Sequence, residues 1–332
     1  MTQARAVNYR LGGLYALATT FLLATQEPFS FLGAERLNSL QFIWVTQVAL
    51  ALSIPLLILK PNSRRDFLAL LRDRANWIPL AVIFALGMTG LVLYNLGLSH
   101  AHPIIIAAVL NLSPFWAAMV AFVISRVPIP VRPAVFFSCL AVAFAGAMTV
   151  AWSQMKPEAG MGGLTENLLE GSWVYAIPIP ILSALSGTLI GKWFSKYEES
   201  ASIAANFLVP ATVLIPSVSI VLAQRSELHF GQTEAIALMI FGTVVAASIG
   251  RVLYQIALSS TGNDNGFVTM FFLLVPALTG LVSLPMSVWI PSLDFSINPT
   301  FFLGLGLIAA ALSVFSWTTW RRGSPQAAGA LA

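Results

Sequence analysis

A chain of 332 residues with 58% hydrophobic and only 9% charged side chains, at a mean hydropathy of +0.83, cannot cover a water-facing surface with polar groups. That excludes a soluble globular domain and points to a polytopic membrane protein. The formal net charge of +4 then reports on topology in the bilayer, not on nucleic acid.

Roughly 20 apolar residues cross a bilayer core, and stretches near that length predict ten spans. They run at about 11–32, 37–58, 77–99, 103–125, 133–152, 172–193, 201–223, 234–258, 266–290 and 300–320. Without water, backbone groups must close within helices, and the alternating pattern of a membrane barrel is absent. The expected fold class is an all-α membrane protein. Met1 to Arg10 is too polar for a cleavable leader, so the first span is expected to belong to the fold. The single cysteine, Cys139, falls inside span five and reads as a small buried apolar residue.

An N-terminus on the cytoplasmic side places Arg5, Arg10, Lys60, Arg64, Arg65, Arg72, Arg74, Arg126, Arg132, Lys192, Lys196, Arg321 and Arg322 together. Only Arg36, Lys156 and Arg225 fall opposite, so both termini are expected in the cytoplasm. The run from Lys60 to Arg74 carries Phe67, Leu68, Leu70 and Leu71 between its charges. It reads either as a solvated cytoplasmic loop or as a short helix at anionic headgroups.

The chain also echoes itself. Tyr94 to Ser99 returns 160 residues later as Tyr254 to Ser259; Tyr15 and Tyr175 keep the same offset, and Pro114 and Pro276 are 162 apart. Phe136-Phe137 and Trp152 match Phe301-Phe302 and Trp317 at 165. Two five-helix repeats follow, 11–152 and 172–320, joined by an external linker at 153–171. Five is odd, so the second repeat enters from the opposite side, which is the inverted arrangement of alternating-access transporters. Ala141 with Gly306 and Ala145 with Ala310 predict close packing of spans five and ten, and Ser183, Gly187 and Gly191 predict packing in span six. Gly187 to Trp193 is no phosphate loop, having one residue too few and no Ser/Thr after the lysine.

In Tyr94 to Ser99, Ala107 to Pro114, Tyr254 to Ser259 and Pro276, the chain resembles the drug/metabolite transporter superfamily, EamA type, over about residues 11–320. The resemblance is nearest to bacterial exporters of aromatic amino acids. It implies a ten-helix transporter of the bacterial inner membrane, with a central cavity bordered by helices one, three, four, six, eight and nine. Many members carry an acid after span four or nine; here Ser125-Arg126-Val127 and Ser287-Val288-Trp289 stand there, so that acid's role does not transfer.

Charged side chains inside the bilayer are rare and mark functional sites. Glu27 in span one and Arg251 in span eight stand out, at depths about 16 Å apart at ~1.5 Å per residue, too far for a direct ion pair. Glu27 suits ammonium recognition or proton coupling, with an outer-interface residue as the alternative. Arg251 suits a substrate carboxylate, with snorkelling to headgroups as the alternative. Pro114 frees an upstream carbonyl near Asn111 and Ser113, and with Pro276 it is expected to act as a hinge. Tyr94, Trp116, Tyr254 and Gln255 complete the candidate substrate contacts, against the plainer reading of aromatics as packing.

His100, His102 and His229 fall in short external loops with no carboxylate cluster, so no metal is expected. With no nucleotide motif and no Ser/His pair in the spans, no cofactor and no catalysis are expected. The expected activity is secondary export of amino acids, chiefly aromatic ones, and related metabolites. The alternatives are broader drug or solute efflux, and an intramembrane enzyme or scaffold. The expected partners are the small-molecule substrate and the lipid bilayer, with the oligomeric state open between monomer and homodimer.

Overall fold

The computed structural model describes residues 8–98, 103–110, 112–125, 132–153, 172–227, 233–260, 268, 271–288 and 297–323. All regular structure among them is helical. Seven runs are long and apolar enough to cross a bilayer: Ser39–Leu57, Arg74–Leu98, Ile105–Ile124, Pro133–Val150, Val174–Trp193, Glu199–Gln224 and Thr233–Ala257. Val275–Ser287 and Pro299–Phe315 are shorter apolar helices. The chain is an all-α, multi-pass membrane protein. Helix α1 (Tyr9–Arg36) has 28 residues, ample length, but Gln26, Glu27, Glu35 and Arg36 dilute its apolar character. The 153–171 linker, the three histidines, Asn111 and both chain ends lie outside the described residues, save Ser153, which closes a helix.

The first helices start where the sequence offers a partner for orphan N–H groups or a proline that lacks one. Asn8 Oδ1 accepts the Leu11 N–H at 3.0 Å to open α1. A capping box opens α2 (Ser39–Leu57): Asn38 Oδ1 accepts from the Gln41 N–H at 2.9 Å, and Gln41 Oε1 accepts from the Asn38 N–H at 3.2 Å. Proline at the first turn opens α3 (Pro61–Arg72). Then come α4 (Trp77–Leu98), α5 (Pro103–Leu110), α6 (Ser113–Ser125), α7 (Pro133–Ser153), α8 (Pro178–Trp193) and α9 (Glu199–Gln224). The helix α10 (Thr233–Val244) widens into a π-helical turn at Val245–Gly250 and continues as α11 (Arg251–Ser260). A 3₁₀ turn at Phe271–Leu274 leads into α12 (Val275–Ser287), and α13 (Pro299–Gly323) is last.

The segment from Lys60 to Arg74 is neither a bare loop nor a helix with its apolar face in lipid. Phe67 and Leu70 of α3 are buried in a core cluster with Ile54, Leu57, Leu80, Ile83, Phe194 and Ala201, while Arg64, Arg65 and Arg72 point outward. Polar ties hold α3 to the start of α9. Ser63 Oγ donates to Glu198 Oε2 at 2.8 Å, Ser200 Oγ donates to Ser63 Oγ at 2.8 Å, and the Glu198 N–H donates to Asp66 Oδ2 at 2.8 Å. At the other end of α9, Asn38 Nδ2 and Gln41 Nε2 at the start of α2 donate to the Glu227 carboxylate and carbonyl, each at 2.9 Å.

Helices α7 and α13 pack face to face, as expected for spans five and ten, but not through the expected residues. Ala141, Ala145, Gly306 and Ala310 are exposed. The buried stripe of α7 is Phe136, Cys139, Ala143, Gly146, Ala147 and Val150, about half a turn away in helical phase. The close approach is at Gly146 and Gly304, where an added Cβ would lie 2.7 Å from the Gly304 oxygen and 2.7 Å from the Val150 nitrogen respectively. Gly187 and Gly191 likewise face open space, and α8 turns Pro180 and Ala184 inward instead.

Candidate functional site

Helix α1 is the hub of the molecule, touching α2, α4, α5, α10, α11 and α12 as well as the π turn. Its outer half is densely packed. Phe29 meets Gly242 of α10 so closely that an added Cβ would sit 2.6 Å from the ring, and Gly33 accommodates Met239 in the same way. Within this packing Glu27 is only 8% exposed, and its Oε2 accepts the Tyr94 hydroxyl of α4 at 2.7 Å. Buried Ser30 adds a hydroxyl beside Tyr94, and Asn95 is buried next to it in the chain. Two expected site residues, from spans one and three, are thus brought into direct contact. Glu27 has a hydroxyl as its hydrogen-bond partner.

Pro28 follows Glu27 inside α1, and a proline has no N–H for the carbonyl four residues back. That carbonyl is Ala24, and Thr279 Oγ1 of α12 donates to it at 3.3 Å between two buried residues. Pro114 repeats the device locally, since the carbonyl it frees is Leu110 and the Ser113 hydroxyl donates to it. Pro114 does not kink a continuous helix. Leu112 forms a turn, its N–H donating to the Val109 carbonyl at 3.1 Å, and α6 begins at Ser113 with the proline in its first turn. Pro276 stands in the same position of α12, behind the 3₁₀ turn. Both expected hinge prolines therefore stand in the first turn of an α-helix.

Along its N-terminal half α1 faces a cavity of about 720 Å³. Asn8, Leu11 and Tyr15 of α1 line one side, Val252, Gln255, Ile256 and Ser260 of α11 another, and the end of α2 with Lys60 and Ser200 completes it. Gln255 is an expected site residue, and its buried Nε2 has no hydrogen-bond partner among the described residues. Tyr254, one position earlier, instead stacks on Phe272 at 5.7 Å. Arg251 follows the π turn directly, is exposed, and does not line the cavity. Trp116 packs beside the α7–α13 cluster, its buried indole N–H without a partner among the described residues. Sequence reasoning missed Lys60, counted only as a topology marker, and Thr279, whose signal was its place opposite a proline-freed carbonyl.

No family model matches the chain, and no curated protein matches it. A solved structure, described only as the crystal structure of a protein, is similar over 94% of this chain and 99% of its own, with a TM-score of 0.55 at 14% identity. That is a likeness of fold alone.

Proposed function

We propose that this protein is a secondary transporter of the bacterial inner membrane, exporting amino acids, aromatic ones foremost, and related metabolites by alternating access. In this reading it belongs to the EamA type of the drug/metabolite transporter superfamily. Its ten spans form two inverted five-helix repeats with cytoplasmic termini. One observation carries the reading: a single helix, α1, is sealed along its outer half and lines an open cavity along its inner half. Thirteen of the 17 basic residues put that cavity on the cytoplasmic side, so the conformation is open inward. The paired spans broken before Pro114 and Pro276 support a repeat whose halves exchange roles between states.

Glu27 is the polar centre under the seal. A buried carboxylate held by one phenol can take the ammonium of a passing amino acid or exchange a proton for it, and in either role it couples cargo to the opening of the outer half. Counterflow tests this. Purified protein in liposomes without nucleotide should exchange labelled tryptophan or phenylalanine, and Glu27→Gln should cut the initial rate at least ~10-fold, about 1.4 kcal/mol. Absence of exchange for every amino acid and amphiphilic metabolite tried would remove the transport reading.

A further inference from the structure

The inner cavity has a chemistry of its own. Half of its described lining residues are leucine, valine or isoleucine, and Lys60 is the one charged residue among them. Gln255 lines it as well, and its Nε2, buried from solvent, has no partner among the described residues. The Lys60 side chain is exposed. Ser200, by contrast, spends its hydroxyl on Ser63. A pocket with a cation and an amide side chain in a partly apolar wall, and with no carboxylate among its described lining residues, matches a small molecule bearing one carboxylate on an apolar body.

We infer that this cavity is a loading site for apolar carboxylates, in which Lys60 and Gln255 receive the carboxylate and the walls of α1, α2 and α11 receive the apolar body. The site is separate from the Glu27–Tyr94 pair, since Tyr15 and Glu27 are 12 residues, about 18 Å, apart along α1. An amino acid is thereby held by its acid end first and reaches Glu27 only after leaving this site. The inference deepens the transport reading and rests on it for that ordering, but binding itself does not require transport. An anionic phospholipid headgroup offers the other source of a negative oxygen group at this depth, and the apolar body of a small acid distinguishes the two.

The test is equilibrium binding to full-length protein in nanodiscs of zwitterionic lipid, using 3-phenylpropionate and 3-phenylpropanamide as probes. Wild type should prefer the acid by ~10-fold or more, the range of one charge-assisted contact. Lys60→Gln should reduce that preference to within ~3-fold, and Gln255→Leu should weaken the acid more than the amide. Arg64→Gln, an exposed cation one turn further along α3, should leave the preference intact. Val252→Trp, which fills the cavity, should abolish binding of both probes. An unchanged preference in both Lys60→Gln and Gln255→Leu overturns the inference, as does equal loss in Arg64→Gln, which would mark a diffuse field. Competition by added anionic lipid but none by the acid would assign the cavity to lipid and overturn it too. Carboxylate binding without counterflow would instead leave this site standing and remove the transport reading.

Discussion

The two ends of helix α1 obey different rules. Around Glu27 its polar groups are buried and bonded: Glu27 by Tyr94, and the Ala24 carbonyl freed by Pro28 by Thr279. Near its start Leu11 is 41% exposed, and the helix borders about 720 Å³ of open space. One helix is therefore closed along its C-terminal half and open along its N-terminal half. The difference teaches where strain and tolerance should lie. The outer half has no spare volume, so a transition that opens it must separate α1 from α10 and α12.

The sharpest way to break this contrast is to overfill one end and truncate the other. Gly242→Leu forces a side chain into the Phe29 ring, and overpacking of a tight interface costs about 2 kcal/mol or more. Leu11→Ala in the open half should cost less than ~1 kcal/mol, since much of that side chain is already exposed. Thermal unfolding of the purified variants would check this, and equal losses would mean the halves do not differ in packing.

Tyr94→Phe comes next. It removes the hydroxyl that donates to a buried carboxylate while keeping the ring against Phe42, 6.5 Å between centroids. Loss of such a bond is worth about 2 kcal/mol. Counterflow should fall by ~10-fold or more, with less effect on Tm than Gly242→Leu. Unimpaired exchange would show that the pair is structural only.

Thr279→Val should be milder, about 1 kcal/mol, because one neutral hydrogen bond to Ala24 is lost. Pro28→Ala restores the helical partner of that carbonyl. The double variant should therefore be less destabilised than Thr279→Val alone, a coupling that a double-mutant cycle measures. Simple additivity would show that the freed carbonyl is not what Thr279 serves.

These particulars also show what the sequence could and could not reveal. Span positions are legible because each buried helix needs a long apolar run, and Glu27 is legible as a charge where none should be. Tyr94 stood out as a repeat marker and a candidate substrate contact; that its hydroxyl reaches Glu27 depends on the α1–α4 arrangement, which no local pattern encodes. The small residues of spans five and ten gave the right helix pair and the wrong face, since Ala and Gly occur on both sides of α7 and α13 and spacing alone does not fix phase. Pro114 was visible, but a kink and a break look alike until the Leu112 turn is seen. Lys60 ends a span, where a cation satisfies the positive-inside pattern and so hides any second role.

The smallest effect belongs to the Asp73–Lys196 tie, which serves neither half of α1 directly. The Ala75 N–H and then Lys196 hold the Asp73 carboxyl below its ordinary range, while Tyr197 and then Asp73 hold Lys196 above its own. A lowered carboxyl contributes stability that is present above its unfolded pKa and is lost as pH falls through the folded value. A raised amine contributes stability present below its unfolded pKa and lost as pH rises through the folded one. The pair should therefore count most across the neutral range and fade at both extremes. Both groups are on the surface, so salt screens them and the contribution is small. Asp73→Asn should lower Tm slightly at neutral pH and low salt, and the gap from wild type should close in acid, at a pH below the usual carboxylate range, and also at ~1 M salt. A gap that persists under both conditions would assign the loss to the cap of the turn at Ala75 rather than to charge, leaving the Ser63–Glu198–Ser200 contacts as what joins α3 to α9.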